Sequence, residues 1–245
     1  EARAAGLKAF STWHATDCVQ TGRECCGGQG YLAVNRFAAL KADSDVFTTF
    51  EGDNTVLLQL LAKALLTRYR RQFSEMNVLR LARYLASELI DRVAELNPIV
   101  THDTDEDHLR DPEFQIGALR WREERLLSTL ARRLKHRIDR GVETFDAIVD
   151  CQDHMVATAR AHVERIVAED LQAAITAADE GAEREVLARL RDLFALHRIE
   201  SDRGWFLEQG YLAGAKAKAI RAQVNRLSEQ LRHDALPLVD AFAIP

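Results

Sequence analysis

Apolar residues recur along most of this chain at steps of three and four positions, which is the spacing of amphipathic helices. Proline and glycine are scarce, at 4 and 12 of 245 residues, and this composition also favours helix. The connections between the long periodic segments are short, as in antiparallel helical bundles. We therefore predict an all-α fold, with helices over residues 1–22, 54–73, 75–96, 112–138, 142–179, 182–198 and 212–232.

Several details of the pattern predict how the helices pack and connect. Residues 97–112 are acidic and polar, so they are the best candidate for a linker between two domains. The apolar end of the chain, from Leu236 to Phe242, is expected to dock onto the protein. The first helix is expected to present Leu7, Phe10, Ser11, His14 and Cys18 on one face.

Residues 23–53 lack clear periodicity, and irregular segments of this length are commonly functional. Gly27, Gly28 and Gly30 fall within four positions near its start. Because glycine has no side chain, this loop allows the backbone to come close to a ligand or to a second chain.

At the end of the same segment, Glu51 precedes the helix predicted over residues 54–73. Asp53 and Asn54 are favourable helix N-caps, and Gly52 lets the backbone turn sharply beside the glutamate. A carboxylate held on a short loop next to a ligand can act as a general base. The same pattern is also typical of a simple cap or a solvated loop, so the residues alone leave both interpretations open.

Charge and composition limit the possible partners. The net charge is −5 and no long basic block occurs, so nucleic acid is not expected as a partner. The apolar run Val56–Ala62 is too short to span a membrane, and no signal-peptide pattern opens the chain. The first residues read as the middle of a helix and lack an initiator methionine, so we expect a piece of a longer protein.

Cysteine and histidine spacing does not predict a metal site. The adjacent Cys25 and Cys26 lack the two-residue gap of a zinc knuckle, and the His/Asp residues at 101–111 are spaced as in a solvated loop. Without a secretion signal, the four cysteines are expected to be reduced thiols with packing roles.

Three stretches, in order, resemble the C-terminal part of acyl-CoA oxidases, which belong to the wider acyl-CoA dehydrogenase family of flavoproteins. They are ECCGGQGYLAVNR (Glu24–Arg36), LKADSDVFTTFEGDNTVLLQ (Leu40–Gln59) and LRHDALPLVDAFAIP (Leu231–Pro245). The resemblance implies an acyl-CoA dehydrogenase-like C-terminal helical bundle over residues 1–100. It also implies a second, oxidase-type helical domain over residues 101–245.

The resemblance also implies roles for individual residues. Glu51 stands at the position of the glutamate that removes the α-proton of the acyl-CoA, and Gly52 would contact the substrate. The residues implied to contact FAD, partly across the interface of a homodimer, are Glu24, Cys25, Cys26, Gly27, Gly28, Asp53 and Thr55. Asp53 stands where dehydrogenases commonly have Thr, and together with Asn54 it resembles the oxidase branch.

The implied reaction is the FAD-dependent α,β-desaturation of a fatty acyl-CoA to a trans-2-enoyl-CoA, with O2 reduced to H2O2. An acyl-CoA dehydrogenase with a protein electron acceptor and a non-catalytic helical scaffold are the alternatives. The family's N-terminal and middle domains have no counterpart in this chain, so the isolated piece is expected to be inactive. A bacterial cytoplasm is expected from the Ala/Arg-rich composition, or a peroxisome if the source is eukaryotic.

Overall fold

The computed structural model describes residues 1–74 and 101–243, and within these ranges the chain is helical and contains no strand. The all-α prediction is therefore confirmed. The helix predicted over residues 75–96 lies outside the described residues. The described helices are α1 (Ala2–Cys25), α2 (Phe37–Val46), α3 (Asn54–Ser74), α4 (Glu106–Arg110), α5 (Pro112–Asp139), α6 (Thr144–Val149), α7 (Gln152–Ala177), α8 (Ala182–Ser201), α9 (Arg203–Glu208) and α10 (Gly214–Asp240).

The described chain divides into two compact units. Unit 1 comprises residues 1–74 and 123–163, and unit 2 comprises residues 101–122 and 164–243. Both units therefore take part of α5 and part of α7. The domain boundary predicted near residue 100 stays a prediction, because it adjoins residues 75–100, which the structure does not describe.

In unit 1, α1 packs against α3 through its small residues. Ala9 is fully buried, and a Cβ added at Gly6 would come within 2.6 Å of the Leu61 side chain. The helices can approach this closely because these positions carry almost no side chain. The face predicted from Leu7 to Cys18 is therefore wrong in part, since Ser11, His14 and Cys18 are exposed.

In unit 2, an aromatic cluster forms the centre of the core. The ring of Trp121 lies 4.5 Å from Tyr211, 5.3 Å from Trp205 and 6.3 Å from Phe206, measured between ring centroids. Burying rings of this size supplies much of the hydrophobic stabilisation of such a core. The surrounding buried residues are Leu109, Phe114, Ala118, Leu119, Ala168, Ala195, Leu196, Ile199, Leu212, Ile220 and Leu227.

Two predicted boundaries need correction. The described part of the 97–112 linker contains α4, and its Leu109 is 2% exposed, so this segment is packed into unit 2. Residues 142–179 are not one helix, because α6 ends at Val149 and α7 begins at Gln152. Between them, Cys151 is fully buried, while Asp150 forms an ion pair with Arg137.

The predicted docking of the C-terminal residues is not seen among the described residues and stays a prediction. Helix α10 continues to Asp240 with Pro237 inside it, whereas the sequence pattern predicted an end at residue 232. The side chains of Leu236, Val239 and Phe242 are 77%, 62% and 75% exposed. The apolar tail therefore does not pack within the described chain. Across the described ranges, none of the helices combines the length and the hydrophobicity needed to cross a membrane.

Candidate active site

Glu51 and Gly52 form a turn with two consecutive left-handed residues, immediately before α3. Their φ angles are +58° and +107°. Glycine adopts this region freely, but a residue with a Cβ does so at a cost of about 1–2 kcal/mol. Both residues are exposed. The turn therefore presents the Glu51 carboxylate at the surface of unit 1, on backbone that the surrounding contacts must hold in place.

Asp53 caps the N-terminus of α3. Its Oδ1 accepts hydrogen bonds from the backbone N–H groups of Thr55 and Val56, at 2.9 and 3.2 Å. These bonds satisfy two donors that the first helical turn leaves unpaired. The capping role predicted for Asp53 is confirmed, and its side chain remains exposed beside the turn.

Asn54 does not act as a cap but joins α3 to α1. It is 1% exposed, and its Nδ2 donates to the Thr12 hydroxyl at 2.9 Å and to the Ala9 carbonyl at 3.4 Å. Hydrogen bonds of this kind offset the free-energy cost of burying a polar amide. The start of α3 is therefore fixed to the middle of α1.

A lysine that sequence reasoning did not single out contacts this turn. The Nζ of Lys8 donates to the Gly52 carbonyl at 2.7 Å and to the Asn54 Oδ1 at 2.9 Å. Nothing in the sequence distinguishes Lys8 from a solvated helix lysine, because its partners lie more than forty positions away.

The irregular segment before Glu51 is more ordered than predicted. It contains two 3-10 turns, Gly27–Tyr31 and Ala33–Asn35, followed by α2. Lys41 and Thr16 both donate hydrogen bonds to Asp45 on α2 and hold the pKa of that carboxyl below its ordinary value. The contact with Thr16 also attaches α2 to α1. The Glu51 turn follows directly after α2.

The three glycines of this segment serve different purposes. A Cβ at Gly30 would lie 2.1 Å from the carbonyl oxygen of Arg23, so Gly30 packs directly against the end of α1. Gly27 and Gly28 have open space in that direction, with no atom within 4 Å of an added Cβ. The close approach predicted for the loop is therefore internal at Gly30, while Gly27 and Gly28 remain accessible.

The other side chains around the loop are also open to solvent. Cys25 and Cys26 are exposed free thiols, as is Cys18, so the packing role expected for the cysteines applies in unit 1 only to the buried Cys151. The Glu24 carboxylate accepts a hydrogen bond from Gln20 and is exposed. Apolar side chains nearby are exposed as well: Tyr31 at 69%, Leu32 at 49%, Val34 at 81%, Phe47 at 51%, Phe50 at 56% and Val56 at 59%.

The predicted site residues fall into two groups at different ends of α1. The turn with Glu51, Gly52 and Asp53 is attached near Lys8, whereas Glu24 lies sixteen residues further along α1 and Cys26–Gly28 follow the end of that helix. At a rise of 1.5 Å per residue, Lys8 and Glu24 lie about 24 Å apart along α1. Within one chain the two groups therefore cannot line the same small pocket.

The fold and this site define a helical protein whose exposed carboxylate turn and glycine loop are held by a shared helix. Family models match both parts: "Acyl-CoA oxidase, C-alpha1 domain" over residues 1–66 and "Acyl-CoA oxidase" over residues 111–245. The second match alone covers more than half of the chain. The chain belongs to the acyl-CoA oxidase family.

Individual members of the family match this chain over its full length. The peroxisomal acyl-coenzyme A oxidase 2 of Arabidopsis thaliana is 40% identical over 245 residues, which are 100% of this chain and 35% of that protein. Acyl-CoA oxidase 3 of Yarrowia lipolytica, a solved structure, superposes with a TM-score of 0.84 at 25% identity, covering 99% of this chain and 34% of that one. The chain thus spans about a third of the length of the relatives it matches.

A more distant structure shares the fold. Acyl-CoA oxidase-2 of Caenorhabditis elegans, bound with FAD, ascaroside-CoA and ATP, has a TM-score of 0.81 at 18% identity. The match covers 99% of this chain and 34% of that one. At this level of identity, the comparison concerns the fold alone.

Proposed function

We propose that this chain is the C-terminal part of an FAD-dependent acyl-CoA oxidase that converts a fatty acyl-CoA to a trans-2-enoyl-CoA. The observation that carries the proposal is the exposed Glu51, held in a left-handed turn at the start of α3 within a chain that belongs to the oxidase family. The rest of the active site would come from regions that correspond to the other two thirds of the relatives' length.

In this proposal Glu51 is the general base that removes the α-proton of the acyl-CoA thioester. The α-proton is weakly acidic, and a positioned base contributes typically about 10²–10⁴-fold to the rate of such a step. The turn suits this role because it exposes the carboxylate while hydrogen bonds hold the backbone on both sides. Gly52 would contact the substrate through its backbone, because the Leu57 side chain fills the direction of an added Cβ, at 3.1 Å.

The residues proposed to contact FAD have the space to do so. An added Cβ at Gly27 or Gly28 meets no atom within 4 Å, and Glu24, Cys25 and Cys26 are exposed. When bound, FAD would supply the electron chemistry, taking the β-hydrogen as hydride and passing two electrons to O2, which becomes H2O2.

A homodimer would explain why the two groups of site residues lie at different ends of α1, where Lys8 and Glu24 are about 24 Å apart. The glycine loop of one subunit would contact the FAD whose substrate faces Glu51 of the other subunit. Asp53 and Thr55, beside the turn, would then contact the FAD from the same side as Glu51. The exposed apolar side chains around both groups supply surface for such contacts.

The proposal is tested on the complete protein, purified with its flavin. A long-chain acyl-CoA is added without oxygen, the flavin absorbance is followed, and air is then admitted while peroxide is assayed. Bleaching followed by rapid reoxidation with peroxide supports the oxidase. Bleaching that persists in air would instead identify a dehydrogenase with a protein acceptor, and a protein without flavin would favour a helical scaffold.

Location would follow that of the relatives. If the source is eukaryotic, we expect a peroxisomal enzyme, as the name of the Arabidopsis relative states for that protein. For a bacterial source we expect the cytoplasm. We also expect the 245-residue chain alone to be inactive, because it would supply only part of the flavin-binding site and could not retain the flavin.

A further inference from the structure

The turn that carries Glu51 is under backbone strain, and something outside it must hold it. Two consecutive left-handed residues, at φ +58° and +107°, are costly when the first of them is a glutamate. Within the loop, the N–H of Asn54 donates to the carbonyl of Thr48 at 3.0 Å and the N–H of Phe50 to that of Val46 at 2.8 Å. These bonds close the loop on itself but do not fix it relative to α1.

Lys8 adds a direct contact from α1 to the turn itself, beside the contacts that Asn54 makes with Thr12 and Ala9. Its ammonium donates to the carbonyl of Gly52, the residue directly after Glu51, at 2.7 Å. It also donates at 2.9 Å to the side-chain oxygen of Asn54, the first residue of α3. One positive group therefore joins the turn, the start of α3 and α1 through two hydrogen bonds in which the donor is charged, the stronger class of such bonds.

One of the two partners of Lys8 is held in the interior of unit 1. Asn54 is buried and bonded to Thr12 and Ala9, so the ammonium is anchored on one side by the interior of unit 1. The Gly52 carbonyl on its other side is part of the strained backbone. A shift of that carbonyl would rotate the peptide next to Glu51 and displace its carboxylate, and a displacement of about 1 Å can reduce a rate by about 10²-fold.

We infer that Lys8 is a positioning residue for the proposed base, holding the Glu51 turn in its productive conformation by donating to the Gly52 carbonyl. The inference rests on the function proposed for Glu51. It predicts that loss of the ammonium slows proton abstraction while leaving flavin binding and substrate affinity in place.

The test uses the complete flavin-loaded protein and three lysine variants. Lys8→Met removes the ammonium but keeps the apolar stem, Lys8→Arg keeps a cationic donor, and Lys63→Met removes an exposed lysine of α3 as a matched control. Anaerobic flavin reduction by an acyl-CoA is measured in a single turnover, together with the flavin content, the substrate Kd and the isotope effect of α-deuteration.

The expected result is at least a tenfold slower flavin reduction in Lys8→Met, with unchanged flavin content and Kd and a full α-deuterium isotope effect. Lys8→Arg should recover much of the rate, and Lys63→Met should match the parent. If Lys8 had only a structural role, Lys8→Met would instead lower the stability or the flavin content. It would not slow flavin reduction at an unchanged substrate Kd. If Lys8→Met does not retain flavin, Lys8→Gln, a shorter neutral variant, is measured in the same way.

Reduction at the parental rate in flavin-loaded Lys8→Met would overturn the inference. So would a loss of rate that follows the loss of flavin in both Lys8→Met and Lys8→Gln. Glu51→Gln, measured in parallel, separates the two claims. If Glu51→Gln is slow and Lys8→Met is not, only the positioning role is wrong; if Glu51→Gln is as fast as the parent, the proposed base is wrong.

Discussion

The Cα of Gly30 lies so close to the end of α1 that a Cβ there would sit 2.1 Å from the carbonyl oxygen of Arg23. This contact joins the glycine loop to the helix that also carries Lys8. The glycine is required by internal packing, since a backbone atom cannot move aside as a flexible side chain can.

Gly30→Ala should therefore destabilise unit 1 by about 1–3 kcal/mol, the range of overpacking substitutions. Gly28→Ala is the matched control, because its Cβ would meet no atom within 4 Å and the change should be nearly neutral. Urea denaturation of the 245-residue chain measures both. Equal stability of the two variants would show that the loop shifts to accept the Cβ.

Asp53→Ala should lower the stability of the chain by about 0.5–2 kcal/mol, because the first turn of α3 loses its cap. Asp53→Asn should stay close to the parent, since asparagine caps as well as aspartate. The free energy of unfolding of both variants is the measurement. A loss in Asp53→Asn as large as in Asp53→Ala would mean that the charge of Asp53, rather than its capping oxygen, stabilises the helix.

The sequence pattern predicted the helices well where their own residues decide the outcome. The positions of α3 and α5, and the turn before Asp53, follow from local caps and apolar spacing. The pattern failed where distant partners decide. The buried face of α1 is formed by Ala9 and Gly6, which carry little hydrophobic signal, because close helix packing favours small residues there.

The same limit applies to the site. Glu51 and the glycine loop were predicted as site residues from their resemblance to a family, and that resemblance depends on local sequence motifs. Lys8 and the interior role of Asn54 depend on contacts across more than forty positions, and no local pattern reports such contacts. The exposure of Phe242 could not be predicted either, because the hydrophobicity of a terminal segment does not indicate which surface it packs against.

A buried ion pair on α5 gives a further prediction. Arg122 is 2% exposed and donates to Glu164, which is 6% exposed. Arg122→Met should cost about 3–5 kcal/mol, because the buried Glu164 keeps only the longer contact with Arg198, at 3.6 Å, and Asp202 loses its ion pair with Arg122 as well. Arg120→Met is the control on the same helix: Arg120 pairs with Glu169 at the surface, so the loss should be about 1 kcal/mol or less. Similar losses in both variants would contradict this account.

Lys216 predicts a dependence of stability on pH. Its Nζ lies 2.7 Å from His108 Nε2 and 3.9 Å from the centre of the Phe114 ring, and burial lowers its pKa from 10.5 to about 8. Between these two pH values the unfolded chain binds a proton that the folded chain does not. Stability therefore rises with pH across this range.

The comparison with Lys216→Met isolates this contribution, because the other groups titrate in both proteins. From pH 7.5 to pH 10 the parent should gain stability relative to the variant by about 1–3 kcal/mol. Urea denaturation followed by the fluorescence of Trp121 and Trp205 in unit 2 measures the difference. A difference that stays constant with pH would show that Lys216 titrates at its ordinary value in the folded chain.

The most direct test of the central proposal is the rate at which an acyl-CoA bleaches the flavin of the complete protein without oxygen, compared between the parent and Glu51→Gln. Asp43→Asn, which neutralises an exposed carboxylate on α2, serves as the control. We predict that Glu51→Gln retains its flavin but bleaches about 10²–10⁴-fold more slowly, while Asp43→Asn bleaches like the parent. Bleaching of flavin-loaded Glu51→Gln at the parental rate would contradict the assignment of Glu51 as the base.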